Sequence, residues 1–390
     1  MKKILFILPE FGFGGTVFST LNMISLLRDK YEISVLPMSH QGPVKEKYIE
    51  AGVNILPEDF LLSCYCDAYG GITSIRKKFF ATVLRFFEKL SLMMGLNSRS
   101  VIYTTIARKY DGKFDYVACC QEGASTIFLS KFCKSKTVAW FRSEYSVYRK
   151  QLSPQRLAIE SEAFNKVGTI VCVSQTTRDD LANYFPHIAD RIIAIHNIQN
   201  CENIIEKSKE KVEDVFNKNV FNIVSVGRFA PQKQFHLIPG IAHELQKRGC
   251  KFCWYIIGDG NQEGANDKLK EELNKYKNQD VVKCIGSRLN PYPYIAMADI
   301  LVSTSYYEAC PRVVAESKII HTPVISSDYS SAREFVVDGV TGYVEDINNL
   351  ADIISDLIQD RSKFEALKKQ CTDYNMDCDV IMNKLVELFS

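Results

Sequence analysis

Short apolar runs recur along this chain, each followed by a turn and a helical stretch, and this recurrence limits the possible folds more than any other feature. In the first half the runs are Ile4 to Leu8, Ile33 to Leu36, Tyr116 to Cys119, Val138 to Phe141, Ile170 to Val173 and Ile192 to Ile195. In the second half they are Asn222 to Val226, Phe252 to Ile257, Val281 to Cys284, Ile300 to Ser303 and Val324 to Ser326. Runs this short, apolar at nearly every position, bury both faces, as strands of a parallel sheet do. Their alternation with helices predicts βα units and doubly wound α/β architecture. At 390 residues the chain is too long for one ordinary core. The stretch from Asn197 to Asn219 is rich in Lys, Glu and Asn and has the composition of a linker. The expected division is therefore 1–198 and 199–377, two Rossmann-like domains facing across a cleft at the carboxyl ends of their strands. Asp346 to Ser390 reads as two or three helices, and the last, 378–390, is expected to pack back on the first domain.

Bulk properties exclude several classes. Apolar residues make up 46% and charged residues 24%, within the globular range, so disorder is not expected. The net charge of +2 argues against nucleic acid as a partner. The 13 cysteines sit mostly in apolar runs and read as reduced core residues, consistent with a cytoplasmic protein. Cys250 and Cys253 have metal-knuckle spacing, but no second pair answers them. The N-terminal Met1 to Glu10 reads as a buried strand rather than a leader, and no run is long enough to span a membrane.

Phe11-Gly12-Phe13-Gly14-Gly15 follows the first strand and precedes a helix from about Thr16 to Leu27. A glycine turn there brings backbone close to a ligand. It departs from the dinucleotide fingerprint, because Val17 stands where the third glycine belongs. Residues 75–94 form a basic, aromatic-rich helix with two open readings: a helix packed on the sheet with its cations snorkelling, or a surface helix dipping into an anionic membrane.

The second half carries the densest chemistry. Gly227-Arg228-x4-Lys233 follows its first strand, placing two cations on a loop before a helix, a pattern suited to a diphosphate. Gly258-Asp259-Gly260 and Ile285-Gly286-Ser287 close later strands. Ser305 to Glu316 then sets Glu308 and Glu316 eight residues apart, with Pro311 in what reads as the first helical turn. A carboxylate beside a helix start suits a ligand with hydroxyls on one part and phosphate on another.

Taken in order, Gly-Arg-x4-Lys, Gly-Asp-Gly, Gly-Ser, Glu-x7-Glu and Pro323-Val324-Ile325-Ser326-Ser327 resemble the retaining GT-B glycosyltransferases of family 4, the glycosyl transferases group 1. The resemblance covers Phe221 to Val344 almost completely and the first domain more loosely. It implies a metal-independent hexosyltransferase with no cofactor, whose donor is a nucleotide diphosphate sugar, with a UDP-sugar expected. By the same resemblance Arg228, beside Gly227, and Lys233 hold the diphosphate as it leaves. Glu308 stands beside the donor sugar, and Glu316 bonds the ribose hydroxyls. Backbone from Ala309 through Cys310, Pro311 and Arg312 to Val313 faces sugar and phosphate. Ile285 and Gly286 meet the base, Gly258 closes a strand-end turn toward the same cleft, and Gly14 and Gly15 approach the donor phosphate or the acceptor. Glu308, Arg228 and Lys233 are the expected catalytic residues.

The sequence departs from the family in two places. Ala309-Cys310 replaces the commoner Gly-Phe after the first glutamate. Arg142 stands where many relatives carry a histidine, with Glu144 two residues on; these are the acceptor-side candidates, against a plain surface ion pair. The only Asp-x-Asp, Asp377-Cys378-Asp379, falls in the tail and reads as chance, so no metal is expected. Tyr292-Pro293-Tyr294 after Asn290-Pro291 resembles versions in bacterial surface-polysaccharide enzymes, making a glycan or lipid-linked acceptor the leading reading. The expected location is cytoplasmic, with a peripheral inner-membrane position tied to 75–94. The alternatives are a nucleotide-sugar epimerase of GT-B architecture, a non-catalytic nucleotide-sugar binder and a NAD-dependent oxidoreductase, which would need the missing third glycine.

Overall fold

The computed structural model describes residues 1–12, 14–94, 98–212, 216–217, 219–374 and 378–390. It divides into two compact units, Met1–Ile198 with Val380–Ser390, and Gln199–Asp379.

The first unit holds β1 (Lys3–Leu8), β2 (Glu32–Pro37), β3 (Asn54–Ile55), β4 (Tyr116–Cys119), β5 (Lys136–Phe141), β6 (Thr169–Cys172) and β7 (Ile192–Ala194). Their order is β3-β2-β1-β4-β5-β6-β7, with parallel pairings. In β1 every residue after Lys3 is buried, because helices cover both faces of the sheet. Leu5, Ile7, Val117, Cys119, Ala139 and Phe141 join one core. On the other face Phe389 is fully buried beside Phe6, Tyr31, Tyr116 and Trp140, with ring centroids 5.3 to 6.2 Å away. The hydroxyl of Tyr116 donates to the Ser390 carbonyl at 2.6 Å, and that of Tyr31 to the Val386 carbonyl at 3.1 Å.

The second unit holds β8 (Phe221–Val226), β9 (Phe252–Ile257), β10 (Val282–Gly286), β11 (Ile300–Ser303), β12 (Val324–Ser327) and β13 (Gly342–Glu345). Their order is β10-β9-β8-β11-β12-β13, again parallel. A polar thread crosses its core. Buried Trp254 donates from Nε1 to Ser225 Oγ at 3.0 Å, and Ser225 Oγ donates to the Val302 carbonyl at 2.7 Å. Both sheets change direction of strand addition once, between β1 and β4 and between β8 and β11. Ligands of doubly wound folds bind at such switch points.

Four sequence expectations are corrected. β3 and β13 escape the apolar-run pattern, because each is an edge strand without an unbroken apolar run; β3 spans two residues. The supposed linker contains the helix Cys201–Ser208, capped by Asn200 and anchored by buried Ile204, which a reading of average composition hides. The helix Ile75–Met93 packs on the helices Phe60–Cys66 and Ser98–Ala107 rather than on the sheet. Among the described residues eleven cysteines are free thiols, whereas Cys201 is disulfide-bonded. Cys250 and Cys253 pack against different cores, which separates the knuckle pair.

One buried cation stands apart from this apolar packing. Lys318, on the helix Arg312–Ile319, is 6% exposed and lies 5.2 Å from the centre of the Tyr374 ring. Burial lowers its pKa to about 8. Between about 8 and the ordinary lysine value the unfolded chain binds more protons, so this group makes stability rise with pH there and fall as pH drops toward 8. In urea titrations, Lys318→Met should remove that slope and stabilise the protein at pH 7, by at most on the order of 3 kcal/mol.

Candidate functional site

The second unit gathers its chemistry where β8 and β11 end. Chain leaving β8 turns at Gly227, whose N–H donates to the Ile257 carbonyl at 2.9 Å. Gly258 has a φ of +155°, and a Cβ there would lie 1.8 Å from the Gly227 carbonyl oxygen, so only glycine fits this approach. Gly286, at the end of β10, has a φ of +76° and accepts a bond from the Gly258 N–H at 3.1 Å.

Lys233, in the short turn Pro231–Lys233, reaches across to the loop after β11. Its Nζ donates to Glu308 Oε1 at 2.6 Å. Ser305 Oγ donates to the same oxygen at 3.0 Å. Three more bonds clamp the two loops together. Thr304 Oγ1 donates to the Lys233 carbonyl at 2.7 Å, Gln232 Nε2 to the Tyr307 carbonyl at 2.7 Å, and the Tyr306 N–H to the Gln232 carbonyl at 2.8 Å. Lys233 and Glu308, far apart in sequence, are thus one unit. Arg228 behaves differently: it is exposed, and among the described residues no hydrogen bond or ion pair holds it.

After Glu308 the chain passes half-buried Ala309 and Cys310 and enters the helix at Arg312. Pro311 is the N-cap rather than a residue of the first turn, and its carbonyl accepts from the N–H groups of Val314 and Ala315. By helix geometry the first turn of this helix directs N–H groups away from its own carbonyls. Glu316 is 6% exposed, and its Oε1 accepts from Arg312 Nη2 at 2.9 Å and from the Tyr292 hydroxyl at 3.5 Å. Burial first, then the Glu316 carboxylate, keeps that hydroxyl protonated. Ile285, Tyr292, Cys310 and Val313 pack against the same core. One loop cluster therefore brings together the Lys233–Glu308 pair, the buried Glu316 carboxylate, a helix start and an apolar wall. Ser331, whose Oγ donates to the Glu308 carbonyl at 2.5 Å, escapes sequence reasoning, because a common polar residue outside a motif carries no signal of its own. Tyr292, Gln232 and Ser305 fall within the stretches singled out, but their partners are set by the fold.

Of the first-unit candidates, Gly14 and Gly15 follow β1 at the unit's switch point, and Arg142 and Glu144 follow β5. Gly14 is the N-cap of the helix Gly15–Leu27, with an extended φ of −167°, and a Cβ placed on it would meet nothing within 4 Å. Phe13 lies outside the described residues, as does Asp377 of the Asp-x-Asp. Arg142 is half-buried and Glu144 buried, so neither lies on the open surface. Arg142 Nε donates to the Cys120 carbonyl at 2.6 Å, and its Nη1 to Asn197 Oδ1. Its N–H donates to Glu122 Oε2 at 3.0 Å. Glu144 is 9% exposed and precedes the short helix Tyr145–Tyr148. Two unanticipated carboxylates support this loop. Glu122 also accepts from Ser143 Oγ. Glu160, 1% exposed, accepts from the Gly123 N–H and, at 2.9 Å, from the Tyr148 hydroxyl, and burial raises its pKa.

Two doubly wound parallel sheets in one chain, each with a loop cluster at its switch point, define the GT-B class of fold. Superposition agrees: Anabaena HepE, solved in complex with UDP, matches with a TM-score of 0.76 at 15% identity, covering 100% of this chain and 99% of that one. Staphylococcus aureus TarM matches with a TM-score of 0.73 at 13% identity over 100% of each chain. Residues 206–374 match the family described as glycosyl transferases group 1, and the chain has the GT-B fold. An uncharacterized glycosyltransferase of Methanocaldococcus jannaschii is 26% identical over 52% of this chain and 51% of its own length. The amylovoran biosynthesis glycosyltransferase AmsD of Erwinia amylovora is 29% identical over 36% of this chain and 38% of its own. The chain thus spans about half or less of these curated relatives.

The glycine geometries make opposite demands. Gly258→Ala should cost at least ~2 kcal/mol, because the new Cβ collides with backbone. Gly14→Ala should change stability by no more than about 0.5 kcal/mol, since its backbone is extended and the space open. Thermal unfolding of the two variants checks the contrast.

Proposed function

We propose that this chain transfers a sugar from a nucleotide diphosphate sugar, a UDP-sugar first, to a hydroxyl of a glycan or lipid-linked acceptor, with retention at the anomeric carbon. The observation that carries the reading is the Lys233–Glu308 pair at the β8–β11 switch point, next to the helix that bears Glu316. Lys233 and the exposed Arg228 neutralise the diphosphate as it departs. Glu308 takes hydroxyls of the donor sugar, and Glu316, oriented by Arg312 and Tyr292, takes those of the ribose. The anomeric carbon–phosphate oxygen bond breaks while the bond to the acceptor oxygen forms on the same face. The acceptor proton passes to the departing phosphate oxygen, so no strong side-chain base is required. Two side-chain cations and a helix start supply the charge, and we propose that no metal is needed. UDP in the Anabaena HepE structure and the amylovoran role in the name of AmsD support a UDP-sugar and a bacterial surface polysaccharide.

Nucleotide release from a panel of UDP-, GDP- and ADP-sugars, measured with EDTA present, tests this. Release from one donor class is expected, undiminished by EDTA. Glu308→Ala should lower the rate at least about 100-fold, and Arg228→Ala should raise the donor KM. Wild-type rates in both variants would end the assignment, and strict dependence on added metal would end the metal-free mechanism.

We further propose that the helix Ile75–Met93 rests on an anionic membrane. No described helix is long and apolar enough to cross one. Lys77 and Arg85 turn inward: Lys77 pairs with Asp67 at 2.6 Å and with Glu58, and Arg85 Nη2 donates to the Asp67 carbonyl at 2.7 Å. The outward face carries Ile75, Phe79, Phe86 and Met93, exposed at 86, 65, 65 and 79%. Arg76 and Lys89 remain exposed for lipid phosphate. Vesicles containing phosphatidylglycerol should sediment with the protein, and changing Phe79, Phe80, Phe86 and Phe87 to Ser should abolish that. Equal binding by the variant removes the membrane role.

A further inference from the structure

The geometry points to a cavity in the first unit, between the ends of β1 and β4 and the helices Phe60–Cys66 and Ser98–Ala107, as the seat of one uncharged pyranose unit of the acceptor, with Arg99 as its positioning residue. This rests on the transferase reading. The cavity measures about 450 Å³, within the range of small-molecule sites. Glu10 follows β1 and Gln121 follows β4, while Tyr65, Arg99 and Tyr103 enter from the helices. The walls therefore combine aromatic bodies with hydroxyl, amide, guanidinium and carboxylate groups, the mixture that a ring of CH groups and hydroxyls requires.

Arg99 is held rigidly. Its Nη2 donates to Glu88 Oε2 at 2.8 Å, and its Nε lies 2.8 Å from Glu88 Oε1 without a hydrogen bond. Its guanidinium carbon sits 5.2 Å from the centre of the Tyr65 ring. One charge-assisted hydrogen bond, the close carboxylate and the ring hold the guanidinium and leave the Nη1 edge outside the pair. A donor immobilised in this way needs no ordering when a ligand arrives. Glu88 belongs to the helix Ile75–Met93, so the helix with the exposed apolar face also sets the pocket's donor.

Charge decides the class of ligand. Arg99 contributes one positive charge and Glu88 one negative charge, which cancel. Glu10 adds a second negative charge at the rim, exposed and without an ion-pair partner among the described residues. Burial raises the Cys66 pKa to about 11 and raises that of Tyr65, so both stay neutral. Within the lining alone Glu10 and Arg99 cancel, and Glu88, which pairs with Arg99 from outside the lining, brings the group to one negative charge. A uronate or phosphate would meet net repulsion, whereas an uncharged hexose or N-acetylhexosamine would not.

Saturation-transfer NMR with p-nitrophenyl glucoside, galactoside, N-acetylglucosaminide and glucuronide tests this on the full chain, with UDP binding and melting temperature as folding controls. At least one of the neutral pyranosides should bind and the glucuronide should not. Arg99→Ala, or Ala124→Leu to fill the cavity, should weaken the neutral ligand at least tenfold. Glu88→Gln leaves the Arg99 charge unmatched and should shift the ratio of neutral to anionic binding about tenfold toward the glucuronide. A purely structural Glu88 would not move that ratio. Equal binding of glucuronide by wild type, unchanged affinity in Arg99→Ala and Ala124→Leu, or an unmoved ratio in Glu88→Gln would each overturn the proposal. Failure of all donor sugars to turn over, with pyranoside binding intact, would instead strike the transferase reading.

Discussion

The second unit depends on one ion pair bridging two loops. Lys233 and Glu308 close the ends of β8 and β11 over the switch point, with side chains 21 and 12% exposed. A pair this shielded is costly to break by removing one member, because the other is then left desolvated without its partner. The surrounding bonds from Gln232, Thr304, Ser305 and Ser331 carry the same constraint into the backbone. Gly227 lies beneath: a Cβ there would meet Lys233 Cε at 3.2 Å. The loop shape and the charge arrangement are therefore one feature.

The first unit uses the same architecture with different polar supports. Arg142 stands at the end of β5, yet it serves as a strut from the Cys120 carbonyl to Asn197. Glu122 and Glu160 hold the chain that leaves β4, the latter through the Gly123 N–H, where φ is +89°. Buried carboxylates that accept several hydrogen bonds tend to fix loops in place. The helices from Phe60 to Ala107 add a layer of their own. Lys77 and Arg85 turn inward to bind this layer together, and Glu88 orients Arg99 toward the cavity.

Much of this is legible in the sequence, for identifiable reasons. Central strands such as β1 and β8 announce themselves because both faces are buried, which requires an unbroken apolar run. Edge strands β3 and β13 lack that requirement and leave no such signature. The cations and glutamates of the second unit lie in ordered spacings around strand-end glycines, which mark them as loop residues of one cleft, while the resemblance supplied their grouping. The Cys201–Ser208 helix is hidden, since one buried isoleucine anchors an otherwise polar stretch.

The amino-acid sequence by itself determined two parallel α/β units, the residues grouped after β8 and β11, and the basic aromatic character of 75–94. Those follow from local pattern: apolar periodicity, glycine at turns, and charge at fixed spacing. Only the tertiary structure decided which charges are occupied. It paired Lys233 with Glu308 while leaving Arg228 exposed, turned Lys77 and Arg85 inward while Phe79 and Phe86 faced out, and locked Arg99 onto Glu88. The reason is that an ion pair depends on a distance of a few ångströms between side chains, and for residues 75 apart in sequence, as Lys233 and Glu308 are, chain folding alone sets that distance.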